Sequence, residues 1–510
     1  MFLTLDGSGS LYQQLLRALR RSIADGRLPP GAQLPSTRVL AQDLGLSRNT
    51  VIAAYELLRA ERLAVGQGRT GIFVADGAHV VSVTRATGAR ASTGAARPSR
   101  SNAAAAVSGA SPVRPSAASP VHVEASSRYA ARLRSLPPLP LTRGRKELQI
   151  DLQYGEPMTS VGLFNAWSRS LSFAAAHVQG QYPAAHGLPE LRAQIAGYLG
   201  RRRGVVCDVD DVIVVNGTQQ AFSLLARVLL DEGDRAVIEE PGYALAAHCL
   251  AAHGAQLVPV PVDGDGLNIA LLPRPPEPPA KLIAVTPSHQ FPLGVALTLA
   301  RRKALLHYAD QHRAWIVEDD YDGEFGFEGR MLPALRSLDS ADRVIYVDSF
   351  SKTVLPALRL GYMVCPRALR NDVLLARRLA DIGSSGVDQC ALAHFMASGA
   401  YDRHLQRTAL ELRRRRQALA EGLAQHCAGQ VQLQDSGAGM HAVAWLPGLD
   451  AARLRALISL AEQRGIGLHG LAGHYASPPA EQGLLLGFAN ASVAQIRLAT
   501  RRLGQCLRGP

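Results

Sequence analysis

Beyond Leu148 the chain keeps to one pattern: short β-branched apolar runs break off at polar turns, with helix-forming stretches between several of them. The runs lie near 212–215, 236–238, 282–286, 315–318, 344–347 and 360–364, helical stretches cover 191–203 and 221–230, and a long Arg-rich helical stretch is expected near 376–425. Such runs read as buried strands. Their alternation with helices predicts a mostly parallel sheet with helices on both faces. Ligands of such sheets sit beyond the carboxyl ends of the strands, and that is where this chain places its polar turns.

Four of these turns carry chemistry. The run ending at Val347 continues Asp348-Ser349-Phe350-Ser351-Lys352, with Arg359 seven residues on. A lysine at the mouth of a sheet can form a Schiff base with an aldehyde. The hydroxyls of Ser349 and Ser351 and the Arg359 guanidinium suit a phosphate. An aldehyde and a phosphate on one small molecule describe pyridoxal phosphate. The run 315–317 ends in Glu318-Asp319-Asp320-Tyr321-Asp322. On an extended segment Asp319 and Tyr321 face the same way. A carboxylate at the pyridine nitrogen keeps that cofactor an electron sink, and a tyrosine hydroxyl suits the ring oxygen. The run 212–215 stops at Asn216-Gly217, where Gly217 allows close backbone approach. The amides of Thr218 and Gln219 then open a helix, a ready phosphate site. Last, Glu239-Glu240-Pro241-Gly242-Tyr243 follows the run 236–238, and Tyr243 either stacks on the ring or is a loop aromatic.

The first 77 residues read differently. Residues 34–51, Leu-Pro-Ser-Thr-Arg-Val-Leu-Ala-Gln-Asp-Leu-Gly-Leu-Ser-Arg-Asn-Thr-Val, fit a helix-turn-helix. Ser36 and Ser47 are N-caps, Ala41 is small where helices cross, and Gly45 suits a positive φ. The second helix presents Arg48, Asn49 and Thr50 at its start, where major-groove contacts usually arise. An amphipathic helix is expected at 11–23 and a two-stranded wing at 62–74, with Gln67-Gly68-Arg69-Thr70 at its tip. The wing contains Gly66-x-Gly68-x-x-Gly71, but no βαβ unit surrounds it, so a dinucleotide fingerprint is rejected.

The 510 residues suffice for two or three domains, and the net charge of +13 favours a polyanionic partner. Residues 78–145 are Ala, Ser, Pro, Gly and Arg without periodicity and with one acid, Glu124; they are expected to be a flexible linker. The six cysteines show no C-x-x-C spacing, and His248, Cys249 and His253 lack a metal-ligand spacing, so no metal is expected. With no signal peptide and no uncharged apolar stretch near 18 residues, the expected location is the cytoplasm, on the nucleoid when DNA is bound.

Asn-Gly-Thr-Gln-Gln, Glu-Pro-Gly-Tyr, Glu-Asp-Asp-Tyr-Asp and Ser-Phe-Ser-Lys occur in the order used by fold-type I pyridoxal phosphate enzymes, the aspartate aminotransferase class. Pro287-Ser288-His289-Gln290-Phe291-Pro292 and Arg359-Leu360-Gly361-Tyr362 look like one branch of it, the MocR subfamily of GntR-type transcription regulators. Leu-Pro-Ser-x-Arg-x-Leu-Ala and Ser-Arg-x-Thr-Val resemble the winged helices of that family. The resemblance implies a multidomain chain: a mostly α winged helix-turn-helix with a β wing (1–77), the linker (78–145), and an α/β aminotransferase-like domain with a small C-terminal α+β subdomain (146–508). It implies that Lys352 carries the Schiff base, that Asp319 meets the pyridine nitrogen and Tyr321 the ring oxygen, and that Tyr243 covers the ring. Thr218, Gln219, Ser349, Ser351 and Arg359 would hold the phosphate. In the winged-helix family, positions matching Arg38, Ser47, Arg48, Thr50 and Gly68 approach DNA; Asn49 and Arg69 join them by position.

Two departures separate the chain from working aminotransferases. Phe291-Pro292-Leu293-Gly294 stands where those enzymes usually show Asn-Pro-x-Gly, and Leu484 to Ala489 lacks the arginine that clamps a substrate carboxylate. His289, His469 and His474 are the remaining candidates for that anchor. The expected function is therefore a dimeric regulator that binds an operator in double-stranded DNA and senses pyridoxal phosphate, or an amine or amino acid that displaces Lys352. Enzymatic activity is expected to be at most a residual half-reaction. The alternative is an active aminotransferase with a DNA-binding appendage. A serine acyl enzyme, spelled by Ser349-x-x-Lys352, lacks its Ser-Asp-Asn and Lys-Thr-Gly partners.

Overall fold

The computed structural model describes residues 3–7, 9–61, 63–66, 71–75, 127–138, 148–326, 333–434 and 436–508. Internal contacts divide the chain into two units, Met1–Ser116 and Ala117–Pro510.

The first unit holds α1 (Leu11–Ala24), α2 (Thr37–Leu44), α3 (Arg48–Ala60), β1 (Ala64–Gly66) and β2 (Ile72–Val74). Ser36 and Ser47 cap α2 and α3 by accepting from the amides of Val39 and Thr50, each cap worth about 1 kcal/mol. Gly45 ends α2 at φ 63°, the left-handed turn expected of it. Leu15, Leu19, Leu40, Val51, Ala54 and Leu58 close the core between the three helices. Strands β1 and β2 pair antiparallel, Ala64 opposite Val74.

In the second unit, α4 (Arg128–Ser135) precedes β3 (Ile150–Asp151), α5 (Val161–His177), α6 (Pro189–Arg202), β4 (Val212–Val215), α7 (Thr218–Leu229), β5 (Arg235–Glu240) and α8 (Ala244–Ala252). Then come β6 (Gln256–Asp263), β7 (Gly266–Leu267), β8 (Leu282–Val285), α9 (Leu299–His312), β9 (Trp315–Asp319), β10 (Val344–Ser349) and β11 (Gly361–Val364). The chain ends with α10 (Arg367–Asp381), α11 (Gly386–Ala397), α12 (Ala400–His426), β12 (Gln432–Leu433), β13 (His441–Trp445), α13 (Ala451–Gln463), β14 (Ile466–Gly467), β15 (Gly483–Gly487) and α14 (Val493–Leu507).

The central sheet has the order β4-β11-β10-β9-β8-β5-β6-β7. Strands β10, β9, β8, β5 and β6 run parallel, while β11 is antiparallel to both neighbours, so β4 points the same way as β10. Both faces are covered. Ile213 and Val215 of β4 join one core cluster, and Val212 and Val214 join the other. That double burial is why these strands are apolar throughout rather than alternating.

Three expectations change in detail. The Arg-rich helical stretch near 376–425 is divided among α10, α11 and α12, broken at Ile382 and Gly399, both at positive φ. The C-terminal antiparallel sheet β12-β13-β15 is accompanied by β14 pairing parallel with β3, so the start of the unit is built into its end. Finally, the expected linker contains α4. Ser127 caps it, Arg132 Nε donates to the Ala252 carbonyl at 2.9 Å, and Tyr129 packs on His253. Partners on α8 supply what the composition of this short helix could not.

Candidate cofactor cavity and helix-turn-helix surface

A cavity of about 290 Å3 opens at the carboxyl ends of the parallel strands. Its wall carries Thr218, Gln219, Tyr243, Asp319, Tyr321, Ser349, Ser351, Lys352 and Arg359. These are all the residues expected around a cofactor except Gly217, which lies behind Arg359. At φ 89°, Gly217 caps α7, and a methyl group there would stand 3.4 Å from both terminal guanidinium nitrogens of Arg359.

One end of the cavity is built for an anion. Thr218 and Gln219 are the first residues of α7, whose opening amides have no intrahelical acceptor. Arg359, at φ 50°, donates to the carbonyl of Asn216 at 2.7 Å and so braces the turn before the helix. The Asn216 side chain is held in turn by Asp381 at 2.7 Å and Ser384 at 2.6 Å. Ser349 and Ser351 come from the end of β10 and the turn that follows.

Lys352 sits at the centre. Its Nζ donates to the carbonyl of Gly155, and burial pushes the amine below its ordinary value against the opposing pull of Asp322, Glu156 and Asp319. A lysine so placed is held towards its neutral, nucleophilic form. Asp319 ends β9 and is buried. Burial, reinforced by Asp320, raises its carboxyl to about 8, while Lys352 pulls the other way. Its Oδ1 is buried without a hydrogen-bond partner among the described residues, as an acceptor reserved for a ring N–H would be. Below this acid, Asp320 pairs with buried Arg203 and accepts from Tyr346 at 2.7 Å, which fixes the turn after β9.

The Tyr321 hydroxyl faces His289 Nδ1 at 2.9 Å, and the same nitrogen lies 3.0 Å from Asp322 Oδ1. Tyr243 meets Phe291 edge-on at 6.0 Å between ring centroids.

The wall also includes residues that the sequence did not point to: Tyr154, Gly155, Glu156, Thr286, Met440 and His441; Phe291 stood out in the sequence as part of a family motif and as a departure, not as a wall residue. The turn Tyr154-Gly155-Glu156-Pro157 was readable as a turn but not as part of this site. Met440 and His441 arrive with β13 and carried no local signal. His441 donates from Nε2 to the Pro292 carbonyl oxygen at 3.1 Å, and burial drops its pKa to about 3, so its ring is neutral. Of the three histidines considered as carboxylate anchors, none belongs to the wall. His289 is engaged as above, His469 lies 2.7 Å from Asp151, and His474 packs against Phe291 and Tyr154. Among the described wall residues the cations are Lys352 and Arg359 alone. No group of His, Cys, Asp or Glu among the described residues is placed to hold a metal, and no helix among them is long and apolar enough to cross a membrane.

In the first unit, Arg38, Arg48 and Asn49 are exposed, and Thr50 is half-buried. Arg48 opens α3, with Nε 3.4 Å from Thr37 Oγ1. Ser47 and Thr50 join hydroxyls at 2.8 Å, so both help fix the helix start. Gly68 and Arg69 lie outside the described residues.

Known proteins resemble the chain in both units. The family model for bacterial regulatory proteins of the gntR family matches residues 11–74, and that for aminotransferase class I and II matches 148–476. The probable rhizopine catabolism regulatory protein MocR of Rhizobium meliloti is 35% identical over 505 residues, covering 98% of this chain and 94% of the relative. The pyridoxine biosynthesis transcriptional regulator PdxR of Corynebacterium glutamicum is 29% identical over 94% of this chain and 92% of its own length. Among solved structures, the α-aminoadipate aminotransferase LysN of Thermus thermophilus, complexed with a phosphopyridoxyl-leucine adduct, aligns with a TM-score of 0.64 and 25% identity, covering 75% of this chain and 97% of that one. With a winged helix of one family joined to an aminotransferase fold, and similarity to a regulator of that build along nearly its whole length, the chain belongs to the MocR subfamily of GntR-type transcription regulators.

Proposed function

We propose that this regulator binds pyridoxal phosphate in the cavity at the strand ends and couples its occupancy to operator binding by the winged helix. The observation that carries the reading is the buried, unpartnered Asp319 Oδ1 on the wall that also bears Lys352 and the phosphate-type donors. Lys352 would take the aldehyde, Asp319 the ring nitrogen, Tyr321 the ring oxygen and Tyr243 the ring face. Thr218, Gln219, Ser349, Ser351 and Arg359 would hold the phosphate, with Gly217 leaving room for Arg359. Bound there, the cofactor offers an aldehyde for an amine and an electron-withdrawing ring. Two relatives support the reading by what they are: one regulates pyridoxine biosynthesis, and one aminotransferase of the same fold holds a phosphopyridoxyl adduct.

Arg38, Arg48, Asn49 and the wing, with Gly68 and Arg69, would face the DNA, and a homodimer would match a palindromic operator. The protein would act in the cytoplasm. An aminotransferase function is the weaker reading, because the described wall offers no cation for a substrate carboxylate besides the lysine and the phosphate-end arginine. A footprint on DNA flanking the protein's own gene, with and without pyridoxal phosphate, tests the proposal. Protection that changes with the cofactor is expected; protection indifferent to it would refute the coupling.

A further inference from the structure

The end of the cavity away from the phosphate-type donors has its own character. Tyr154, Phe291 and His441 form an aromatic wall there, with Phe291 6.0 Å from Tyr154 and 5.6 Å from His441 between ring centroids. Met440 adds an apolar surface. The ionisable group that stands out is Glu156, half-buried on the wall beside the Gly155 carbonyl that receives Lys352. No hydrogen bond or ion pair joins Glu156 to another described residue, yet its charge reaches Lys352. Arg359, the other cation of the described wall, is committed to the Asn216 carbonyl at the opposite end.

We infer that the effector of this site is a primary amine without an α-carboxylate, carrying a second cationic group that pairs with Glu156, as a short aliphatic diamine does. The inference rests on the pyridoxal phosphate reading above. A ligand whose amine takes the place of Lys352 brings its next atoms to Gly155 and Glu156. A carboxylate there would meet a like charge and a neutral imidazole, and would be desolvated without a partner. An ammonium would meet Glu156, and an alkyl chain would lie on Met440 and the aromatic wall. The exchange balances: the ligand nitrogen forms the carbon–nitrogen double bond as the bond to Lys352 Nζ breaks. The two amine protons pass to Nζ, which leaves as a free amine.

The test is a titration of the full-length protein loaded with pyridoxal phosphate, read as the change in its visible spectrum. Three probes of similar length are used: putrescine, pentylamine and L-norvaline. Putrescine should bind about tenfold or more tightly than pentylamine, with L-norvaline weakest. Glu156→Gln should erase the putrescine-over-pentylamine preference. The inference is overturned if L-norvaline binds best, if no amine changes the spectrum, or if the preference survives in Glu156→Gln. A chain that takes up pyridoxal phosphate and behaves so defeats this inference alone. A chain that takes up none defeats the parent reading and this one with it.

Discussion

Lys352 Nζ donates a hydrogen bond to the carbonyl oxygen of Gly155, joining the turn after β10 to the segment after β3, some two hundred residues earlier. A methyl group on Gly155 would stand 3.1 Å from that nitrogen, and Gly155 is at φ 76°, so the contact needs glycine twice over. The amine is parked against a neutral acceptor rather than locked in an ion pair, which leaves it free to react.

The loaded protein should therefore be yellow, with a band that borohydride abolishes while fixing the cofactor to Lys352. Lys352→Ala should lose both the band and the fixation. Peptide mapping after reduction checks the site; a label on any other lysine would show that the reactive amine lies elsewhere.

Asp319 makes the cofactor-free protein sensitive to pH. Its folded value of about 8 lies above the ordinary value near 4. The folded state thus keeps a proton that the unfolded chain releases. The stabilisation this group contributes is full below about pH 4 and is lost as the pH rises through about 8. Asp319→Asn stays neutral, so its cofactor-free unfolding midpoint should fall less on raising the pH across that window. It should also bind the cofactor about 10- to 100-fold more weakly, for want of a charged acceptor. Parallel melts of the two proteins against pH decide the first point, and an unchanged slope would contradict it.

Gly361 begins β11 where three backbones meet. A methyl group there would come within 2.7 Å of the Asp348 carbonyl and 2.9 Å of the Gly217 Cα. Gly361→Ala should cost about 1–3 kcal/mol of stability. It should also loosen the phosphate end by displacing the Gly217 turn. Denaturant unfolding and cofactor titration measure the two effects, and full retention of both would show that the turn yields freely.

Arg48 opens the recognition helix, where a bidentate contact to guanine is geometrically natural. Arg48→Ala should weaken operator binding by about 1–3 kcal/mol and leave cofactor binding intact. Arg69→Ala should instead lower affinity for all sequences and flatten the salt dependence. Competition with random DNA separates them. An Arg48→Ala protein with the wild-type ratio of operator to random binding would place base reading elsewhere.

The sequence by itself determined the buried strands, the polar turns at their ends, and the caps and glycine turn of the helix-turn-helix. These are local: β-branched runs, Ser36, Gly45 and Ser47 act within a few residues of themselves. It also determined half of the cavity wall, because strand ends in a parallel sheet converge on one edge, so Thr218, Tyr243, Asp319 and Lys352 had to meet once the sheet formed. Only the tertiary structure decided the rest. Glu156 and His441 reach the cavity from the segment after β3 and from β13, strands that pair with β14 and with β12 and β15 outside the central sheet, so no local pattern announces them. The α4 helix docks because α8 offers the Ala252 carbonyl and His253, partners its own composition does not reveal. The raised carboxyl of Asp319 and the neutral ring of His441 follow from burial, a property of the assembled fold and of no residue alone.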